Sequence, residues 1–176
     1  MTKYVRGNLR TDNVDAVINK YNMRFKVDFA FYDLIYVNKN GASITDDTLK
    51  IRVYQINHWK SKNVLVIRKV APLVNGSKED KVLLKEEFDT VEEAQAFVDA
   101  NLLDEYDFAF KLQKTGIQYG NDKVDLWKED VETIGLSVEV GSEDERLMEQ
   151  VFSDLDVEER LEVSLPEYMY EKVRRG

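Results

Sequence analysis

Several short segments of this chain alternate apolar residues with ionic ones, where an ordinary strand would offer neutral polar positions. The clearest are Leu49-Lys50-Ile51-Arg52-Val53, Val64-Leu65-Val66-Ile67-Arg68, Leu84-Lys85-Glu86-Glu87-Phe88-Asp89 and Val138-Glu139-Val140. A strand points successive side chains to opposite faces. Each segment would therefore bury one apolar face and line the other with cations or carboxylates. Several such faces brought together inside one barrel make an ion-binding lumen.

The composition narrows what such a lumen could serve. With 176 residues and 43% hydrophobic content the chain can bury a sizeable core, and its length suits a single domain spanning 1–176. It carries 25 Lys and Arg against 34 Asp and Glu, a net charge of -9. That balance argues against nonspecific binding to nucleic acid or an anionic membrane, both of which need a basic face, and leaves room for a local basic pocket. The chain lacks cysteine and has a single histidine, His58, which excludes disulfides, thiolate metal sites and histidine-pair metal sites. Any metal would rest on carboxylates. Met1-Thr2-Lys3-Tyr4 turns polar at once and no later run approaches membrane-spanning length, so a cytoplasmic protein is expected.

Read along the chain, Tyr4 to Arg10 is a first strand, and Thr11-Asp12 starts a helix carried by Val14, Val17, Ile18 and Tyr21. Met23 to Val37 is a long strand with Met23, Phe25, Val27, Phe29 and Phe31 on one face and Arg24, Lys26 and Asp28 on the other. Asn40-Gly41 and Asp46-Asp47 mark a loop, Lys60 to Asn63 a turn, and Asn75-Gly76-Ser77 another before a strand over Lys81 to Asp89. Thr90-Val91-Glu92-Glu93 fits a capping box for a helix ending near Asn101. Phe108 to Gln113, Ile117 to Tyr119, Lys123 to Glu129 and Leu136 to Val140 read as further strands, Ser142 to Leu155 as a helix, and Pro166 opens a short terminal helix. The order predicts an α+β fold: an antiparallel, closed or nearly closed β-barrel of about eight strands with flanking helices.

These segments resemble, in type and order, the CYTH superfamily of triphosphate tunnel metalloenzymes, which includes class IV adenylyl cyclases and thiamine triphosphatases. Leu49-Lys50-Ile51-Arg52 is similar to the family's "LRIR" strand, and Val66-Ile67-Arg68 to the following strand ending in a lysine. Lys85-Glu86-Glu87-Phe88-Asp89 resembles "RxExE", and Lys111-Leu112-Gln113 resembles "KxR". The most specific likeness is that of Lys128 to Gly141 to "LDxVxxLGxFVEIE". Ser164-Leu165 resembles a closing "SY". The resemblance implies a tunnel whose basic residues hold a triphosphate and whose glutamates hold Mg or Mn. On this chain the resemblance implies Lys50, Arg52, Arg68, Lys85 and Lys111 as phosphate ligands and Glu87, Asp89 and Glu139, with Glu129 beside them, as metal ligands; strand alternation adds the cations Arg6, Arg10 and Lys26 to the same lumen. No catalytic residue is assigned.

The departures carry as much weight as the matches. The family's first strand reads "ExExK", whereas the inward set here is read as Arg6, Asn8 and Arg10. The second glutamate of "EIE" is Gly141, and the second basic residue of "KxR" is Gln113. Phosphoryl transfer from a triphosphate needs divalent metal to neutralise the phosphate oxygens. Guanidinium forks bind the same oxygens without one. The expected function is therefore binding, and sequestration, of a small phosphorylated ligand such as a nucleotide, a cyclic nucleotide or a polyphosphate, with no cofactor required and catalysis reduced or lost. The alternatives are a triphosphatase or nucleotidyl cyclase dependent on Mg or Mn, and an interaction protein whose tunnel is closed by salt bridges. For each charged strand the plain alternative is a solvated sheet face.

Overall fold

A computed structural model describes residues 2–10, 12–40, 47–70, 73–74, 77–78, 81–162 and 165–175. The elements are β1 (Lys3–Asn8), α1 (Val14–Lys20), β2 (Arg24–Asn38), β3 (Thr48–Ile56), β4 (Val64–Val70), β5 (Leu73–Val74), β6 (Ser77–Lys78) and β7 (Lys81–Phe88). Then follow α2 (Val91–Asn101), β8 (Tyr106–Gly120), β9 (Val124–Val131), β10 (Gly135–Ser142), α3 (Glu145–Asp154), β11 (Glu159–Leu161) and α4 (Leu165–Arg175). The chain is α+β with an antiparallel sheet, as the sequence predicts. Among the described residues the hydrogen-bonded order is β5-β6-β1-β10-β9-β8-β2-β3-β4-β7, with β11 beside β1. That path has two ends, so hydrogen bonds do not draw the closed ring the sequence suggests. No helix among the described residues is long and apolar enough to cross a membrane.

Packing divides the chain into two compact units, each assembled from separate segments: Met1–Phe29, Leu73–Glu79 and Lys114–Glu162 in the first, Ala30–Pro72, Asp80–Gln113 and Val163–Gly176 in the second. In the first unit β1 pairs β10 with Arg6 opposite Glu139, and β10 pairs β9 with Glu139 opposite Trp127. Period-two alternation then sends Val5, Val138, Val140, Leu126 and Val124 to one face, where α1 and α3 cover them with Val14, Val17, Met148, Val151, Phe152 and Leu155. The positions 148, 151, 152 and 155 repeat at helical spacing, which is why this amphipathic helix lies on that face. α3 begins where Asp144 accepts a hydrogen bond from the Leu147 amide at 3.1 Å.

In the second unit β2 pairs β3, β3 pairs β4 and β4 pairs β7. Tyr36, Leu49, Ile51, Val64 and Val66 form a buried cluster with Ala94 and Val98 of α2 and with Tyr106. Thr90 Oγ1 accepts from the Glu93 amide at 3.2 Å, the expected cap, while Glu93 Oε2 accepts from the Asp89 amide at 3.2 Å. Each face buried in this way commits the other face of the same strands to the ionic residues.

Two expectations change, and one strand that the sequence reading did not draw is added. The two strands anticipated around Phe108 and Ile117 are one strand, β8, because Gly116 is a packing position and not a break: a Cβ there would lie 2.5 Å from the Phe29 ring. Phe25, placed by alternation on the apolar face of the long strand, is 60% exposed and meets Tyr119 edge-on. The acidic stretch near Glu159 contributes β11, which pairs β1 with Leu161 opposite Arg6.

Candidate functional site

The charged face of the second unit is built by strand register. Asp33 lies opposite Arg52, Arg52 opposite Leu65, and Leu65 opposite Glu87; one row along, Ile35, Lys50, Ile67 and Lys85 are aligned in the same way. Residues directly opposite share a face. This face therefore carries Asp33, Lys50, Arg52, Lys85 and Glu87. Asp33 is 2% exposed and accepts a two-toothed fork from Arg52, Nε at 2.8 Å and Nη2 at 2.9 Å, with Lys50 Nζ 3.7 Å away. Burial opposes the charge on Arg52, but Asp33 outweighs it and holds the guanidinium well above its ordinary pKa. The Arg52 guanidinium also lies 3.7 Å from the Phe31 ring centre. Its fork to Asp33 uses two of five N–H donors.

Arg68 falls on the other face of β4, aligned with Leu49 and Leu84. There Asp47 accepts from Arg68 Nε and Nη2, both at 3.1 Å, from Tyr106 Oη at 2.8 Å and from Asn38 Nδ2 at 3.0 Å. The structure thus does not bring Arg68 together with Lys50 and Arg52. Burial, followed by the Asp47 carboxylate, raises the Tyr106 pKa. Lys111 is exposed, its ammonium 4.3 Å over the Tyr32 ring, and Tyr32 alternates with Asp33 on β2.

The first unit carries a second charged face, with Tyr4, Arg6 and Asn8 of β1 opposite Gly141, Glu139 and Ser137. Arg6 sits between two glutamates: Nη1 is 2.9 Å from Glu129 Oε1 and Nη2 is 3.0 Å from Glu139 Oε2. Lys114 Nζ lies 2.5 Å from the other oxygen of Glu129. The side chains of Arg6 and Glu129 are 4% and 2% exposed. Burial opposes ionisation of Glu129, yet Arg6 and Lys114 together hold its carboxyl below the usual range. Glu139, one of the expected metal ligands, is thus a partner of Arg6.

Beyond these faces, Arg10 lies past the end of β1 and pairs with Glu158 at 2.9 Å on the surface. Register therefore makes Tyr4, Arg6 and Asn8 the set sharing one face, where the sequence reading has Arg6, Asn8 and Arg10. Lys26 pairs with Asp125 at 2.5 Å. Asp89 follows β7, exposed, 3.3 Å from Lys62. Ser164 lies outside the described residues. Mg or Mn needs several oxygens converging on one point. Among the described residues no group of three or more Asp, Glu, His or Cys side chains is placed to hold a metal. Glu129 and Glu139 are turned onto Arg6 and Lys114, so the described residues form no cage for either ion.

Sequence reasoning missed Asp33 and Lys114. Asp33 had a readable signal: a carboxylate in phase with Phe29, Phe31 and Ile35 on a buried strand face needs a cation. Lys114 had none, because the flanking Thr115-Gly116 disguised the continuity of β8.

The antiparallel sheet with its flanking helices is a fold shared with solved structures of CYTH-like proteins. Among solved structures it is similar to the PH1819 protein from Pyrococcus horikoshii OT3, at 19% identity over 98% of this chain and 99% of that one, with a TM-score of 0.74. It is also similar to a proposed adenylate cyclase from Vibrio parahaemolyticus, at 12% identity, 96% and 97% coverage and a TM-score of 0.66. A Hippeastrum protein, proposed as an adenylyl cyclase and described as having a dominant triphosphatase activity, matches at 14% identity, 99% and 96% coverage and a TM-score of 0.62. At these identities the likeness is one of fold. No family model matches the chain, and no curated protein matches it in sequence.

Proposed function

We propose that this protein binds a small phosphorylated ligand on the Lys50-Arg52 face of the second unit, with metal-dependent turnover reduced or lost. The observation that carries the reading is a contrast between the two faces. In the first unit the glutamates are engaged by Arg6 and Lys114. In the second unit Lys50 and Arg52 stand two residues apart on β3, with Lys85 in the same row as Lys50, against Asp33 and Glu87. Guanidinium and ammonium groups on one face suit phosphate oxygens, and the arrangement needs neither a closed barrel nor a metal. The triphosphatase activity attributed to the Hippeastrum neighbour supports a triphosphate as the ligand class.

Calorimetric titration with tripolyphosphate and nucleoside triphosphates, in EDTA and in Mg, tests this. Binding in EDTA that Lys50→Ala with Arg52→Ala abolishes, the circular dichroism remaining native, is the expected result. Charged hydrogen bonds contribute roughly 1.5–3 kcal/mol each, so the double variant loses on the order of a hundredfold or more. Phosphate release in Mn that Glu139→Gln abolishes would instead favour the triphosphatase. A second reading, an interaction protein with no ligand, is favoured by the fork that Asp33 already accepts from Arg52; absence of heat in both conditions would decide for it.

A further inference from the structure

We infer that β7 is a contact surface for a second copy of this chain, and that two β7 strands pair antiparallel about a two-fold axis at Glu86, with Lys85 of each copy opposite Glu87 of the other. Among the described residues β7 lies at one end of the hydrogen-bonded path and pairs β4 alone. Its outer edge therefore offers a row of backbone donors and acceptors to a strand that comes alongside. Lys81, Val82, Leu83, Lys85, Glu86 and Glu87 are all exposed. Val82 and Leu83, at 56% and 46%, give the start of the strand an apolar surface as well. Open edges are commonly guarded by charge. Here the charges stand in an order that complements a copy of itself.

Two antiparallel copies of one strand are related by an axis normal to the sheet, which carries each face onto itself. One residue then lies opposite its own copy, and its neighbours meet in reversed order. Within the ionic stretch Lys85, Glu86 or Glu87 can take that place, and each choice sets one like-charged pair face to face. About Glu86 the other pairs all match: Lys85 meets Glu87 twice on the face that carries Asp33 and Arg52, and Leu84 meets Phe88 twice on the face packed against α2. About Lys85, Leu84 meets Glu86; about Glu87, Phe88 meets Glu86 and Lys85 reaches only Asp89, past the end of β7. An axis at Leu84 runs the ladder through the irregularity of β7 opposite Arg68 and Lys69. The register at Glu86 is therefore the favoured one. Opposed Glu86 carboxylates and a junction of two short strands keep the dimer weak, with a micromolar or weaker dissociation constant. The pairing consumes the edge, so assembly stops at two copies.

Sedimentation velocity over protein concentrations from micromolar to millimolar tests this, in phosphate-free buffer so that Lys85 meets only the second copy. A monomer passing into a dimer is the expected result. Lys85→Glu alone and Glu87→Lys alone each turn both ion pairs into like-charged pairs, and each should weaken the dimer about tenfold or more. An equimolar mixture of the two variants, and the chain carrying both changes, again set opposite charges face to face and should recover the dimer. Glu86→Gln should tighten it. The three positions are exposed, so the circular dichroism of every variant should remain native. A monomer at every concentration, species larger than a dimer, or a dimer indifferent to the single changes overturns the inference. So do single changes that neither the mixture nor the double change repairs, and a dimer that Glu86→Gln leaves no tighter.

Discussion

Replacing Arg6 by methionine keeps most of the side chain's length and removes the cation between Glu129 and Glu139. Glu129 would then keep only Lys114, at 2.5 Å, in a site where its side chain is 2% exposed. Removing one partner of a buried ion pair destabilises by roughly 3–5 kcal/mol. Because Lys114 remains, the lower end, about 3 kcal/mol, is expected, or roughly 6–12 °C in Tm for a chain of this size. The pH dependence supplies a sharper check. In the wild-type protein burial opposes the Glu129 charge but Arg6 and Lys114 depress its pKa, so its contribution is present above the unfolded carboxyl pKa and is lost as pH falls through the folded one. In Arg6→Met burial dominates, and the folded pKa rises above the unfolded value. The variant should then gain stability relative to wild type as pH falls from 7 to 5, by at most about 1.4 kcal/mol per pH unit for one proton. Urea denaturation of both proteins at the two pH values measures this. A loss below about 1 kcal/mol at pH 7, or a gap that does not narrow at pH 5, would show that the network is solvated and would refute the reasoning.

Two further perturbations probe the remaining geometry. A Cβ at Gly141 would lie 2.8 Å from the Tyr4 ring and 3.1 Å from Trp127, so Gly141→Glu alone should destabilise by roughly 1–3 kcal/mol. Tyr4→Ala in the same chain should restore part of that; thermal melts that show no rescue would disprove the steric account. Asp33→Asn should cost about 3–5 kcal/mol, since Arg52 and Lys50 lose their buried counter-charge. The same change should tighten tripolyphosphate binding, and a weaker affinity by calorimetry would show instead that Asp33 orients Arg52 for the ligand.

Much of the fold was legible because burial enforces period-two alternation. Once Leu49, Ile51, Val64 and Val66 are committed to α2, Lys50 and Arg52 have only the opposite face. The segment Val64 to Arg68 was read as a strand and lies within β4, and the Thr90 cap was read from its spacing. The partners of the charges were less legible. Arg68 resembles Arg52 as a cation closing an alternating strand, but it is in phase with Val64 and Val66, and that parity, more than residue type, decides its face. The assignment of Arg10 assumed a longer first strand, whereas the ladder to β10 stops at Asn8 opposite Ser137. Pairings such as Arg6 with Glu129 span over a hundred residues, and a single sequence holds no local signal for them.

Tyr4, Arg6 and Gly141 on the first unit's face fit one another in volume and in charge. Tyr4 fills the space that a side chain at Gly141 would take, and its ring lies 5.9 Å from Trp127. Arg6, two residues further along β1, bridges Glu129 and Glu139, and Lys114 supplies the second positive charge at Glu129. Converting any one of these positions would therefore not create a metal site. A carboxylate at 141 meets the Tyr4 ring, and loss of Arg6 leaves Glu129 with Lys114 and a pKa displaced upward by burial. On this face the two glutamates are engaged by Arg6 and Lys114. In the binding reading proposed above, the cations of β3, paired with Asp33 and in register with Lys85, are the groups that would answer a phosphate.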